Sequence, residues 1–186
     1  MRLRFYLLIL VSLLFVKTHH LSAAEPTVKL AGIDGKVHAL SDYVGHGKWV
    51  VVNVWATACP YCRHELFDLT NFHNAHQYKD AMVVGLTISW PSFDYPEKDY
   101  LTDFASSYFI DYPLLMADGE LASQVIGESV GMVPISFLYN PAGKLVLRIN
   151  GVVTEKILEE SIRQNPENYY QEWADVVPPE YEPKAK

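Results

Sequence analysis

Two β-branched apolar runs constrain the fold of this chain more than any other feature. The segments "KWVVVNVW" (48–55) and "AMVVGLTIS" (81–89) are almost continuously apolar, as expected of strands covered on both faces of a sheet. The segment between them, predicted to be helical from Cys59 to about Tyr78, has four residues spaced to share one face. These residues are Leu66, Leu69, Phe72 and His73. Strand, helix and strand in this order predict a right-handed βαβ unit with parallel strands, and hence an α/β fold.

Turn residues predict two hairpins that extend this unit. Apolar and polar residues alternate on both sides of Asp34-Gly35, which predicts an N-terminal β-hairpin extension. The turn from Asn140 to Gly143 separates "PISFLY" from "KLVLRING" and predicts an antiparallel hairpin at one end of the sheet. Together these strands predict a central mixed β-sheet flanked by helices.

Three further helices are predicted after the second apolar run. The first follows a loop, "WPSFDYPEKDY" (90–100), that is longer than most strand-to-helix connections. Its amphipathic residues are Leu101, Phe104, Ala105, Tyr108 and Phe109. Asp118 as N-cap and Gly127 as C-terminal stop delimit a short helix. Thr154 is expected to cap the last helix, which carries Ile157, Leu158 and Ile162.

Four aromatic side chains are predicted to lie in the hydrophobic core. They are Trp49, Trp55, Tyr78 and Phe104. The loop aromatics Trp90, Phe93 and Tyr95 either lie near the functional site or fix the loop in place. Trp173 is expected to pack against the edge of the sheet.

The first 24 residues have the pattern of an export signal. Basic "MRLR" precedes an apolar run from Phe5 to Val16, and small residues precede Glu25 at the expected cleavage point. Because a membrane span needs about 20 apolar residues, cleavage is predicted and a retained membrane tether is the alternative. Lys17 and the two histidines after it are atypical of a cleavage region, so the alternative stays open.

The mature chain is predicted to be one acidic domain with a tail. Cleavage after Ala24 leaves 162 residues and removes three cations and no acid, so the formal charge moves from −7 to −10. An acidic surface without Lys/Arg clusters argues against nucleic acid and anionic lipid as partners. The domain is assigned to 25–164. The tail, 165–186, is rich in Pro, Tyr and acids, and is expected to pack loosely by its aromatics and then to be disordered.

Both cysteines of the chain lie in "CPYC", three positions apart. Such a pair closes almost no loop, which argues against a purely structural disulfide. If a helix begins at about Pro60, Cys59 lies at its N-terminus, where free N–H groups and the helix dipole lower the pKa of a thiol. Cys59 is therefore predicted to be a nucleophile. Cys62, one turn later on the same face, can resolve a mixed disulfide formed by Cys59.

The segment "VVVNVWATACPYCRHEL" resembles the active-site segment of the TlpA/ResA-like branch of thioredoxin-fold proteins. "LAGIDGKVHALSDYVGHGKWVVVNVW" upstream and "GMVPISFLYNPAGKLV" downstream resemble the same family in the same order. The resemblance covers about residues 26–163. It implies a thioredoxin-like fold and a redox-active Cys59–Cys62 disulfide that works without a further cofactor.

The resemblance also implies roles for residues around the cysteines. Pro134 would follow a cis peptide bond and face the disulfide, and Val133 would offer backbone groups to a bound substrate strand. The implied catalytic residues beside the cysteines are Pro60, Tyr61 and Pro134. The implied substrate-binding residues are Trp55, Met132 and Val133.

The activity implied by the resemblance is that of a periplasmic thiol-disulfide oxidoreductase acting as a reductant. Oxidised client proteins are the implied partners, in cytochrome c maturation, with apocytochrome c as client, or in disulfide repair. A membrane thiol transporter of the DsbD/CcdA kind is the implied electron donor. The protein is expected to be a monomer.

Two features depart from the family pattern, and a third, Asn53, follows the periplasmic branch but differs from cytoplasmic thioredoxins. Ala58 stands where Trp often precedes the first cysteine, so docking is expected to rely on Tyr61 or on the 90–100 loop. Asn53 occupies the position of the buried Asp of cytoplasmic thioredoxins. No Glu ends the second apolar run, so the acid-base partner of the second cysteine is either water or Glu65.

A Cu(I) carrier is the alternative from a different functional class, because two thiolates and a thioether suit that ion. Met132 would be the third ligand. His64 is expected to be solvated on its helix. His73 and His76 have an i, i+3 spacing that is compatible with a metal, but without a clear third ligand they are predicted to be ordinary helix residues.

Overall fold

Eight strands and four helices form the part of the chain that the computed structural model describes, residues 28–89, 98–164 and 171–173. The strands are β1 (Leu30–Gly32), β2 (Val37–His38), β3 (Trp49–Trp55), β4 (Ala81–Ser89), β5 (Leu114–Asp118), β6 (Ile135–Tyr139), β7 (Leu145–Asn150) and β8 (Gln171–Trp173). The helices are α1 (Pro60–His76), α2 (Lys98–Ser107), α3 (Gly119–Ile126) and α4 (Glu155–Arg163). The predicted signal peptide, residues 90–97 of the predicted loop and most of the tail lie outside the described residues. Within those residues, no helix is long and apolar enough to span a membrane.

The strands form one mixed sheet in the order β2-β1-β5-β4-β3-β6-β7-β8. The central strand β3 pairs in parallel with β4 and antiparallel with β6. β4 and β5 are parallel, and the β1–β2 hairpin joins the sheet antiparallel to β5. The predicted α/β class, the parallel βαβ unit and both hairpins are confirmed.

Side chains alternate along the strands and create a hydrophobic core on each face of the sheet. Val51 and Trp55 point from β3 toward the face covered by α1, α2 and α4, whereas Val50 and Val52 point toward the face covered by α3. The predicted apolar face of α1 is buried throughout. β3 is buried at every position because helices cover both faces, which explains its continuous apolar sequence.

Helix ends follow their predicted capping residues. The Asp118 side chain accepts the Leu121 N–H, and Gly127, with φ of 77°, ends α3. Thr154 accepts the Ile157 N–H and begins α4. Each cap satisfies backbone groups that a helix end leaves unpaired.

Two aromatic predictions are wrong, because both residues lie beyond the helix to which their spacing assigned them. Tyr78 follows the end of α1 and is exposed, not in the core. Phe109 follows the end of α2, where it adopts a φ of 56° and exposes its ring. The Ile110 N–H donates to the Ala105 carbonyl and closes the end of the helix. Phe109 therefore adopts the left-handed conformation that is usually found at glycine after a helix.

The secondary structure differs from the prediction at three further places. β5 is not predicted at all, and no turn of the hairpin kind joins it to a neighbouring strand, as one does for β6 and β7. α2 begins at Lys98, inside the predicted 90–100 loop. Part of the predicted tail, 171–173, forms strand β8 parallel to β7 at the edge of the sheet, where Trp173 pairs with Ile149.

Candidate active site

The junction of β3 and α1 fixes the first cysteine. After β3 ends, the Cys59 N–H donates to the Ala56 carbonyl over 3.1 Å and turns the chain. Cys59 is the N-cap of α1, and its Sγ accepts the Cys62 N–H over 3.2 Å. Pro60 occupies the first helical position, where no N–H is needed. The N–H and the helix dipole both stabilise negative charge on the Cys59 sulfur.

The two cysteines form a disulfide with their Cα atoms 5.3 Å apart. Cys59 is 4% exposed and Cys62 is 0% exposed. The second sulfur is therefore shielded, and only Cys59 offers surface to an incoming thiol or disulfide.

The loop before β6 lies against this disulfide. The Val133–Pro134 peptide bond is cis, the isomer that the resemblance implies. The Val133 carbonyl oxygen lies 3.9 Å from Cys59 Sγ. The Pro134 carbonyl accepts the Gly151 N–H over 2.9 Å, which ties the loop to the end of β7. The cis-proline loop is thus held next to the reactive sulfur.

Two apolar side chains that are close in sequence to Cys59 and to Val133 are exposed. Tyr61 is 61% exposed and Met132 is 51% exposed. Trp55, in contrast, is completely buried and packs on Phe104 with ring centroids 5.5 Å apart. Its predicted contact with a substrate therefore does not fit the structure, whereas its prediction as a core aromatic is confirmed.

Arg63 stabilises the loop that precedes the cysteines, a role that the sequence does not predict. Its Nε donates to the Thr57 carbonyl over 2.8 Å, and its guanidinium lies 5.7 Å from the centroid of the Phe104 ring. The arginine thereby links the β3–α1 loop to α2. The one sign of this role in the sequence is that Arg63 directly follows Cys62.

Glu65 lies on the inner face of α1, and its carboxyl group is completely buried. Its two oxygens accept the Asn53 side-chain N–H over 2.8 Å and the Val153 backbone N–H over 2.9 Å. Burial raises its pKa to about 8, and the charge of Asp68 adds to this, although the two hydrogen bonds act in the opposite direction. Glu65 lies one helical turn after Cys62 on the same buried face, so it fits the acid-base role better than a residue on the surface.

Asn53 connects the carboxyl group to the cis-proline strand. It is completely buried, and its Nδ2 donates to Ser136 Oγ over 3.0 Å as well as to Glu65. Ser136 follows Pro134 by two residues on β6. The amide therefore occupies the position of the thioredoxin Asp and orients a carboxyl group that comes from α1.

The two helix histidines have structural contacts. His73 is buried, and its Nδ1 accepts the Val83 N–H over 3.1 Å. His76 Nδ1 lies 2.8 Å from Asp80 Oδ1. Among the described residues, no group of three or more His, Cys, Asp or Glu side chains could hold a metal ion. The copper alternative, which depends on Met132, stays a prediction.

Known proteins resemble this chain in sequence and in structure. The family model described as "AhpC/TSA family" matches residues 22–148. The thiol-disulfide oxidoreductase ResA of Bacillus subtilis is 27% identical over 136 residues, which cover 73% of this chain and 70% of that protein. ResA of Bacillus anthracis is 29% identical over 136 residues, 72% of either chain. A DsbF homologue from Corynebacterium diphtheriae superposes with a TM-score of 0.61 at 26% identity and covers 74% of this chain and 83% of its own.

The residues that the family model matches include strands β1 to β6, helix α1 and both cysteines. The two relatives are named thiol-disulfide oxidoreductases, and the geometry around Cys59 suits thiol-disulfide exchange. Since the family model spans more than half of the chain, the chain belongs to the AhpC/TSA family, among its thioredoxin-like thiol-disulfide oxidoreductases.

Proposed function

We propose that the protein acts in the periplasm as a reductant of disulfides in other proteins. The observation that carries the direction is Glu65, a buried carboxyl group one helical turn from Cys62. Strongly oxidising members of the fold stabilise the reduced form through a favoured thiolate. Here the burial that raises the pKa of Glu65 also encloses the Cys62 sulfur and disfavours a thiolate on it, and the groups that shift the Glu65 pKa include no Lys or Arg of the described residues. The disulfide is the favoured product, so the dithiol gives up its electrons.

The exchange proceeds in two displacements. The Cys59 thiolate attacks one sulfur of the client disulfide, forms a mixed disulfide and releases the other client sulfur as a thiolate, which takes a proton from water. Glu65 in its ionised form, which its pKa of about 8 keeps as a minor form near neutral pH, then accepts the proton of the Cys62 thiol. The Cys62 thiolate attacks the Cys59 sulfur, the disulfide re-forms, and the second client thiol leaves. Two electrons thus pass to the client. A membrane thiol transporter of the DsbD/CcdA kind then reduces the Cys59–Cys62 disulfide again with two electrons.

An extended, unfolded client segment suits the surface around Cys59. The exposed side chains of Tyr61 and Met132 offer apolar contacts, and the Val133 carbonyl is a backbone acceptor beside the reactive sulfur. A strand laid along Val133 would hydrogen-bond through its main chain. Apocytochrome c fits this description, because its haem attachment sequence C-x-x-C-H presents two neighbouring cysteines.

A peptide with this attachment sequence tests the proposal. The reduced mature protein is mixed with the oxidised peptide, and the oxidised protein with the reduced peptide, and thiols are counted over time. We expect the oxidised peptide to be reduced nearly to completion and the reduced peptide to stay reduced. Cys59→Ser controls for exchange that does not use the site. Net oxidation of the reduced peptide by the disulfide form would contradict the proposed direction.

A further inference from the structure

We propose that Arg63 selects client proteins that carry a carboxylate close to the cysteine under attack. This inference rests on the proposed function and deepens it, because it names a chemical feature of the client. Its basis is a guanidinium group that is fixed close to the reactive cysteine and that pairs with no carboxylate of the described residues.

Two contacts fix the Arg63 guanidinium in place. Its Nε donates to the Thr57 carbonyl over 2.8 Å, and its Cζ lies 5.7 Å from the centroid of the Phe104 ring. A cation within about 6 Å of an aromatic centroid is attracted to the face of the ring. The ring is itself held, because it packs on the buried Trp55 side chain with centroids 5.5 Å apart. Arg63 therefore loses little conformational freedom when it binds a partner.

The contact with Thr57 also places the guanidinium close to Cys59. Thr57 precedes Cys59 by two residues, and a chain spans at most about 3.6 Å per residue, so their Cα atoms lie within about 7 Å of each other. The Arg63 N–H donates to the Cys59 carbonyl over 3.4 Å in the first turn of α1. Ala58, between Thr57 and Cys59, is exposed, as is Arg63. The methyl group of Ala58 is too small to cover the guanidinium, so a client can approach it.

The donor groups that Arg63 keeps suit a carboxylate. A guanidinium has five N–H donors, and the Thr57 carbonyl accepts one of them. The two terminal amino groups form an edge that can bind both oxygens of a carboxylate at once. Within residues 28–89, 98–164 and 171–173, the ion pairs formed at up to 4.0 Å do not include Arg63. A carboxylate of the client would supply the partner.

The position of Arg63 limits where the client carboxylate can lie. An extended client segment covers about 3.3 Å per residue, so a carboxylate that reaches the guanidinium lies within about three residues of the client cysteine. A carboxylate farther along the client is screened, because the Debye length is about 8 Å at physiological ionic strength. The whole chain has a formal charge of −7, so Arg63 offers local attraction on an acidic protein. Selection should therefore depend on the position of the acid in the client.

A set of oxidised C-x-x-C-H peptides tests the proposal. Each peptide carries one Glu, or one Gln as its neutral match, at one of the three positions before or after the motif. The rate constant of reduction by the reduced mature protein is measured for the wild type, Arg63→Gln and Arg63→Lys, at low and at high salt. Lys79→Gln is the matched control, because Lys79 is exposed beyond the opposite end of α1, a helix of 17 residues and so roughly 25 Å long.

For the wild type we expect at least one position at which the Glu peptide is reduced about three to five times faster than the Gln peptide at low salt. High salt and Arg63→Gln should each bring this ratio close to one, Lys79→Gln should keep it, and Arg63→Lys should keep part of it. Loss of the bond to Thr57 alone would slow all peptides equally and leave the ratio unchanged. A ratio of one at every position, or the same ratio in the wild type and Arg63→Gln, would overturn the selection.

The direction of electron flow is tested separately by the same peptides. If the reduced protein reduces none of them, the proposed reducing function fails. The same Glu to Gln ratios are then measured for oxidation of the reduced peptides by the disulfide form. A ratio that depends on Arg63 in that reaction would support the selection, and a ratio that does not would overturn it.

Discussion

Replacement of Cys62 by serine is expected to trap client proteins covalently on Cys59. The variant keeps the nucleophile at the helix N-cap but lacks the thiol that releases the client. An intramolecular thiol at the adjacent turn acts at a very high effective concentration, so its loss should lengthen the lifetime of the mixed disulfide by about a thousandfold or more. Trapped complexes should appear on non-reducing gels and disappear with dithiothreitol.

Cys59→Ser is the matched control, since it retains one thiol and alters the same disulfide. It should trap nothing, because the remaining Cys62 sulfur is completely buried on the inner face of α1. Mass spectrometry of the adducts should identify Cys59 as the attachment point. Equal trapping by both variants, or by neither, would contradict the assignment of nucleophile and resolving cysteine.

Glu65→Gln is expected to remove a large pH dependence of stability. The pKa of Glu65 is about 8 in the folded protein against an ordinary value of 4.5. Between these values the folded protein holds a proton that the unfolded chain has lost, so stability is fully present below pH 4.5 and falls as the pH rises to about 8. Each unit of pH in this window corresponds to about 1.4 kcal/mol, or roughly 5 kcal/mol over the whole window.

Urea unfolding of the wild type and Glu65→Gln at each pH from 5 to 9 measures this difference. The free energies of the two proteins should converge at pH 5, and the variant should be the more stable protein at pH 8 and above. The new amide can be accommodated, because Asn53 Oδ1 has no partner among the described residues and can accept from it after rotation. Glu120→Gln on the exposed surface of α3 is the control. Parallel curves for wild type and Glu65→Gln would show that the carboxyl group is ionised in the folded protein.

Local signals predict the part of the site that the chain builds from neighbouring residues. The geometry of Cys59 and Cys62 depends on a few neighbouring residues. These are the end of β3, the proline at the first helical position and the two cysteines one turn apart. Capping residues likewise predict α3 and α4. Such features depend on contacts between residues close in sequence, which is why sequence reasoning succeeds there.

Contacts between distant residues explain what local patterns miss. The cis bond before Pro134 is expected only from the family resemblance, because few X–Pro bonds are cis and nothing local marks this one. A helical Glu is usually exposed, and the burial of Glu65 depends on partners 12 and 88 positions away, Asn53 and Val153.

The reduction potential of the Cys59–Cys62 pair tests the central claim most directly. The mature protein would be equilibrated with graded dithiothreitol or glutathione buffers, and its free thiols would be trapped and counted. A reductant with a disfavoured thiolate should give a value near or below about −240 mV. A value close to about −120 mV would mean that the pair is an oxidant, and would contradict the reducing function proposed for it.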